Sequence, residues 1–120
     1  MLKPLAALTG AALTLGLAAC APTTAEPVAL PADAVVVDVR TASEHADARL
    51  DGAVLLDVSN GDLEAALSTL DPDAPYFVHC RSGSRSARAV ALMRDAGFTD
   101  VTDLGSLEQA AASTGRGIQR

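Results

Sequence analysis

The stretch from Tyr76 to Ala91, YFVHCRSGSRSARAVA, leaves this chain few ways to fold. An apolar run, Tyr76–Phe77–Val78, leads into His79 and Cys80. A loop of small and cationic residues follows, Arg81–Ser82–Gly83–Ser84–Arg85–Ser86, and then an alanine-rich segment with helical character. The order is strand, thiol, turn, helix. A thiol at the carboxyl end of a strand, facing the amino terminus of a helix, lies among N–H groups with no partner and at the positive end of the helix dipole. Such surroundings favour thiolate and can lower a cysteine pKa from about 8.5 to roughly 3.5–7.5. The same N–H groups, wrapped by Gly83 and the serines, form a cradle for an anion. Arg81 and Arg85 add fork-shaped donors suited to an oxyanion. The competing reading is an inert cysteine packed in a core strand. Arg, Ser, Gly, Ser and Arg directly after Cys80 are a poor choice for a packed interior, so a reactive, partly exposed thiol is expected.

The rest of the chain supplies a frame for that unit. Ala34–Val35–Val36–Val37–Asp38–Val39–Arg40 reads as a buried parallel strand. Thr41–Ala42–Ser43–Glu44 fits a capping box, so a short helix is expected through Ala48. The Asp51–Gly52 turn precedes a second inner strand, Ala53–Leu56. Asn60–Gly61–Asp62 breaks the chain, and Leu63, Ala66, Leu67 and Leu70 mark a helical stripe. The helix after the loop is expected from about Ser84 to Ala96, burying Ala87, Val90, Ala91 and Met93, with Gly97 ending it. Asp100–Leu104 reads as a last strand and Leu107–Ala112 as a terminal helix. Strands alternating with helices predict one α/β domain over residues 34–112, a parallel sheet of four to five strands with helices on both faces. Ligands of such sheets bind beyond the carboxyl ends of the strands, where Cys80 falls.

Outside that domain the chain changes character. Residues 1–20 carry a short basic head at Lys3 and an apolar segment that closes with Leu17–Ala18–Ala19–Cys20. The segment is shorter than the about 20 apolar residues a membrane span needs and reads as a secretory signal. Its end resembles a bacterial lipobox, which implies that Cys20 is lipidated and anchors the protein to the cell envelope. A signal peptide cut elsewhere is the alternative. A lipidated Cys20 cannot pair with Cys80, so Cys80 stands alone. Residues 21–33 read as a Pro/Thr/Ala-rich tether, in which Val28–Ala29–Leu30 allow a short edge strand, and 113–120 as a tail. The net charge of −6 gives no basic face, so no nucleic-acid partner is expected. Two separated histidines and one usable thiol make no metal site.

Taken together, Val37–Asp38–Val39–Arg40 with Glu44, Asp51–Gly52–Ala53, and Cys80–Arg81–Ser82–Gly83–Ser84–Arg85–Ser86 resemble the single-domain rhodaneses, in an exported lipoprotein form. The resemblance spans roughly residues 34–110. It implies that Cys80 carries a persulfide and moves sulfane sulfur from a donor such as thiosulfate to cyanide or a thiol, without a cofactor. It implies that the amides of Arg81 to Ser86 hold the charged sulfur, that Arg85 engages the anionic donor and that Arg81 helps to bind it. It further implies that Asp38 and Arg40 are supports beneath the loop, with Arg40 paired to Glu44. A monomer is expected.

Two other functions remain open at this point. A non-catalytic persulfide-binding module would keep the loop and lack turnover. A cysteine phosphatase or arsenate reductase of the related cell-cycle type would place its arginine one residue further on. Here four residues separate Cys80 from Arg85, and that further position is Ser86, which suits a smaller guest than a phosphate. His79 reads as a buried, hydrogen-bonded imidazole rather than an aid to ionisation, and His45 as a solvated residue of the first helix. Arg88 either widens the positive mouth or is a plain exposed helix position.

Overall fold

The β-branched run after Ala34 forms the strand next to the centre of the sheet because its side chains are buried on both faces. The computed structural model describes residues 26–120, so Cys20 and its lipobox lie outside the described residues. Strand β1 (Val35–Asp38) is followed by helix α1 (Ala42–Asp47), strands β2 (Arg49–Leu50) and β3 (Val54–Leu55), and helix α2 (Asp62–Ala66). Strand β4 (Tyr76–Cys80), helix α3 (Ser84–Asp95), strand β5 (Val101–Ser106), helix α4 (Leu107–Thr114) and strand β6 (Ile118–Gln119) complete the chain. The main sheet has four parallel strands in the order β3-β1-β4-β5. This is the α/β architecture expected, at the smaller of the two strand numbers.

Strand alternation divides the core. Val37, Tyr76, Val78 and Cys80 point to one face, where Leu63 of α2 and Ala89, Val90 and Met93 of α3 cover them. Val36 and Phe77 point to the other, against Leu104, Leu107 and Ala110. Because β4 is central, all five of its residues are buried, including His79. With no tryptophan available, Tyr76 and Phe98 supply the largest contact, an edge-to-face pair with ring centroids 5.3 Å apart.

Several local expectations needed correction. On α3 the buried residues are Ser86, Ala89, Val90 and Met93, while Ala87 and Ala91 are exposed. The helical stripe from Leu63 shortens to a five-residue α2. Residues 113–120, expected as a tail, finish α4 and contribute β6, which pairs antiparallel with β2 in a second, two-stranded sheet. Arg116 and Gly117 bind the Asp51 turn in support, through Arg116 Nη1 to the Asp51 carbonyl at 3.1 Å and the Asp51 amide to the Gly117 carbonyl at 2.8 Å. The described part of the tether forms no strand. It still lies on the domain: the Val28 amide donates to the Ser113 carbonyl at 2.8 Å, and Val28 and Leu30 pack on the Phe77 face.

Candidate active site

The loop between β4 and α3 bends through Gly83, whose φ of 104° is a left-handed conformation that side-chain-bearing residues rarely adopt. A Cβ there would meet nothing within 4 Å, so the requirement is conformational rather than spatial. This bend turns the Gly83 amide back onto Cys80, with N–Sγ 2.9 Å. Ser86, in the first turn of α3, completes the enclosure: its Oγ lies 3.4 Å from Sγ and 3.0 Å from the Gly83 carbonyl. With the thiol protonated, the S–H can donate to Ser86 Oγ while the hydroxyl donates to Gly83. Once the thiol ionises, that single hydroxyl proton is free to turn to the sulfur.

Burial alone raises the Cys80 thiol. Hydrogen bonds from the Ser86 hydroxyl and from the amides of Ser86, Gly83 and Ser82 outweigh it, and the net shift is downward. The sulfur is therefore stabilised as an anion by neutral dipoles. One expectation fails: Cys80 has no exposed surface, because Gly83 and Ser86 close over it. Arg81, Ser82 and Ser84 form the exposed rim.

The charged residues sort themselves differently from the expected pairing. Arg40 does not pair with Glu44. It grips Asp38 with Nε to Oδ1 at 2.9 Å and Nη2 to Oδ2 at 2.8 Å, and its own amide donates to Oδ1 at 3.0 Å. The cause is burial: Asp38 is wholly enclosed, and a buried carboxylate needs its counterion within contact. Burial raises the Asp38 carboxyl, and the hydrogen bonds from Arg40 and His45 more than reverse that. His45 is accordingly not a solvated residue. Its Nδ1 lies 2.8 Å from Asp38 Oδ2, which puts a proton on that nitrogen because a carboxylate can only accept.

Glu44 is drawn instead to Arg85. Thr41 caps α1 by accepting from the Glu44 amide at 3.2 Å, and the Glu44 carboxylate then meets the Arg85 guanidinium in a two-pronged pair at 3.0 and 2.9 Å. Both side chains keep a quarter of their surface exposed. Hydrogen bonding to Arg85 pulls the Glu44 carboxyl down, and Glu44 in turn holds Arg85 firmly charged. Arg85, expected to be free for an anionic donor, is thus already neutralised. Arg88 is an exposed helix residue.

His79 is fully buried on the sheet face opposite the sulfur. Its Nδ1 lies 3.4 Å from the Cys80 carbonyl and its Nε2 has no partner, so the expected imidazole is buried but only half satisfied. Burial pushes its pKa down. Sequence reasoning missed Asp57, buried in the loop after β3, where it accepts from the Ser59 amide at 2.8 Å and adds to the negative field around Arg85. Its place beyond the carboxyl end of a parallel strand was the available signal.

Comparison with known proteins agrees with this geometry. The family model described as Rhodanese-like domain matches residues 25–112. Thiosulfate sulfurtransferase GlpE of Pseudomonas fluorescens is 37% identical over 71 residues, which cover 59% of this chain and 63% of that protein. "Probable adenylyltransferase/sulfurtransferase MoeZ" of Mycobacterium tuberculosis is 35% identical over 69 residues, 58% of this chain and only 18% of that one. The chain therefore spans less than two thirds of either relative. Among solved structures, the Alr3790 protein of Anabaena superposes with a TM-score of 0.65 at 27% identity, over 74% of this chain and 79% of that one.

Proposed function

The chain belongs to the rhodanese-like domain family, and on that premise we propose that it is a sulfurtransferase in which Cys80 carries sulfane sulfur as a persulfide. The thiolate attacks the outer sulfur of a donor such as thiosulfate. A new S–S bond forms to Cys80, the donor's S–S bond breaks, and sulfite leaves with the electron pair. A cyanide ion or thiolate then attacks the outer sulfur, and Cys80 takes back its electron pair as thiolate. Neither step needs a metal or a separate base, provided the thiol is already ionised. Each needs fixed dipoles aimed at a charged sulfur.

One observation carries this reading: the Gly83 amide lies 2.9 Å from Cys80 Sγ, in a loop whose hydrogen bonds lower the thiol pKa. Because the sulfur is fully covered, Gly83 and Ser86 must part before a donor reaches it. That burial, with Arg85 held by Glu44, also favours the second reading, a regulatory module that binds persulfide without turnover. A phosphatase is disfavoured, since Ser86 is tied to Gly83 where its arginine would stand.

Assay with thiosulfate and cyanide separates the first two. The proposed enzyme turns over, gains the mass of one sulfur atom on Cys80 and loses both properties in Cys80→Ser. Wild-type protein as inactive as that variant with every donor overturns the enzyme reading.

The envelope location rests on the sequence around Cys20 alone. Among the described residues no helix is long and apolar enough to cross a membrane. Metabolic labelling with a fatty acid is expected to mark the full-length protein and to fail for Cys20→Ala. Equal labelling of that variant would remove the anchor.

A further inference from the structure

The guanidinium that should draw an anionic donor to Cys80 is already engaged. Arg85 stands in the first turn of α3, next to the Ser86 that covers the sulfur, and Cys80 is among the charges that raise its pKa. Its two terminal nitrogens, Nη1 and Nη2, both donate to the Glu44 carboxylate, at 3.0 and 2.9 Å. Those nitrogens are the fork with which a guanidinium grips an oxyanion. Glu44 is itself fixed from the start of its own helix: Thr41 Oγ1 donates to Oε1 at 3.3 Å and accepts from the Glu44 amide at 3.2 Å. With only 25% of each side chain exposed, water screens the Glu44–Arg85 pair less than it would on an open surface.

The surroundings do not restore the positive charge. Asp57, buried beyond the carboxyl end of β3, acts on Arg85 with the same sign as Glu44. Arg40 is held by Asp38, and Arg88 lies a turn further along α3, exposed to solvent and screening salt. Arg81, on the exposed rim, is the one cation of the loop without an ion pair among the described residues. Once the thiol ionises, Arg81 and Arg85 face three anions: Glu44, Asp57 and the thiolate. A dianion approaching this mouth meets net negative charge and an occupied fork. A donor with less charge is repelled less.

We infer that Glu44 is a specificity-determining residue: it competes with the donor's oxyanion for Arg85 and so turns the site from dianionic donors toward sulfane-sulfur donors of lower charge. This deepens, and rests on, the reading of Cys80 as a persulfide carrier. The bond changes are the same for both donor classes. The Cys80 thiolate attacks the outer sulfur, and a new S–S bond forms to Cys80 as the donor's bond to that sulfur breaks. The leaving group takes the electron pair, as sulfite from thiosulfate or as a sulfinate from a thiosulfonate. What differs is the second negative charge of thiosulfate, which needs a counterion that Glu44 withholds. A neutral amide in place of the Glu44 carboxylate releases the fork to the donor and leaves the amides around the sulfur as they are.

The test compares thiosulfate, a dianion, with methanethiosulfonate, in which a methyl group replaces one charged oxygen, with cyanide as the acceptor for both. Glu44→Gln is expected to raise the ratio of kcat/KM for thiosulfate to that for methanethiosulfonate about fivefold, the scale of a partly exposed ion pair, through a lower KM for thiosulfate. A merely structural Glu44 would not give this gain, because a weakened frame slows both donors alike. A ratio unchanged or lowered overturns the inference and leaves the persulfide reading intact, since both donors still load Cys80. In an Arg85→Gln background the same substitution is expected to move the ratio little. A shift there as large as in the parent means that Glu44 does not act through Arg85, and overturns the competition. The native protein supplies a measurement that needs no variant to fold. Salt screens a net negative mouth, so the thiosulfate rate is expected to rise with ionic strength relative to the methanethiosulfonate rate, and a flat or falling ratio contradicts the inference. No turnover with either donor overturns the persulfide reading and the role of Glu44 with it.

Discussion

The two faces of strand β4 end in very different electrostatics. On the α3 face, Cys80 is ringed by neutral donors, the Gly83 amide at 2.9 Å and the Ser86 hydroxyl at 3.4 Å. On the opposite face, Asp38 is gripped by Arg40 and His45 at 2.8 Å each. Both are buried anions or potential anions, yet only the carboxylate has a formal counterion in contact, Arg40. A charge held by dipoles alone remains available to an electrophile, because no cation must be displaced when it reacts. A carboxylate locked between a guanidinium and an imidazole holds structure instead. The fold keeps the Cys80 thiol and the Asp38 carboxylate one residue pair apart, since Asp38 and His79 sit opposite each other in the ladder and Cys80 follows.

Removing the anion on the reactive face has the largest expected effect. Cys80→Ser should reduce sulfur transfer by at least about a thousandfold, as loss of a covalent nucleophile does, with thermal unfolding little changed. A substantial residual rate would detach the chemistry from that face.

Asp38→Asn attacks the other face. Leaving Arg40 buried without its partner should cost about 3 kcal/mol of stability in urea titration. Turnover per folded molecule should fall far less than it does for Cys80→Ser, and a loss of similar size would mean that the two faces are not separable.

Gly83→Ala forces a side chain into a φ of 104°, which costs about 1–2 kcal/mol and moves the amide off the sulfur. Its signature is a raised thiol pKa along with reduced stability. Ser86→Ala removes only the hydroxyl, so the pKa should rise by up to about one unit and the rate at neutral pH fall by up to about tenfold. An unchanged thiol pKa in both variants would dissolve the distinction between the faces.

The smallest effect belongs to His79. Its folded pKa is held below 6.5, so below pH 6.5 the unfolded chain takes up a proton that the native state resists. Stability should be full above that pH and decline as pH falls toward the folded value. His79→Gln should flatten this decline, and an equally steep one in the variant would assign it to another group.

The two faces were unequally legible in the sequence. Cys80, Gly83 and Ser86 lie within seven consecutive residues, so a local rule about strand, turn and helix was enough to bring them together. Arg85 and Glu44 are 41 residues apart, and nothing local says that Glu44 prefers Arg85 to the nearer Arg40. That choice follows from the burial of Asp38, which appears only once β1 lies between two strands. Strands β2 and β6 have two residues each, too few for any alternation to be read. The facing of α3 was misjudged because an alanine-rich helix offers little contrast between its sides. The complete covering of Cys80 follows from closure by Ser86, whose hydroxyl had not been singled out from the rest of the loop.

The direct test of the central claim is a pH titration of thiolate absorbance in the ultraviolet, on a Cys20→Ala protein so that Cys80 is the only thiol. If amides and the Ser86 hydroxyl govern the sulfur, its midpoint lies below the about 8.5 of a free cysteine and shifts upward in Gly83→Ala and Ser86→Ala. A midpoint at or above about 8.5, unmoved by either substitution, would show that burial governs it and that Cys80 is an ordinary core thiol.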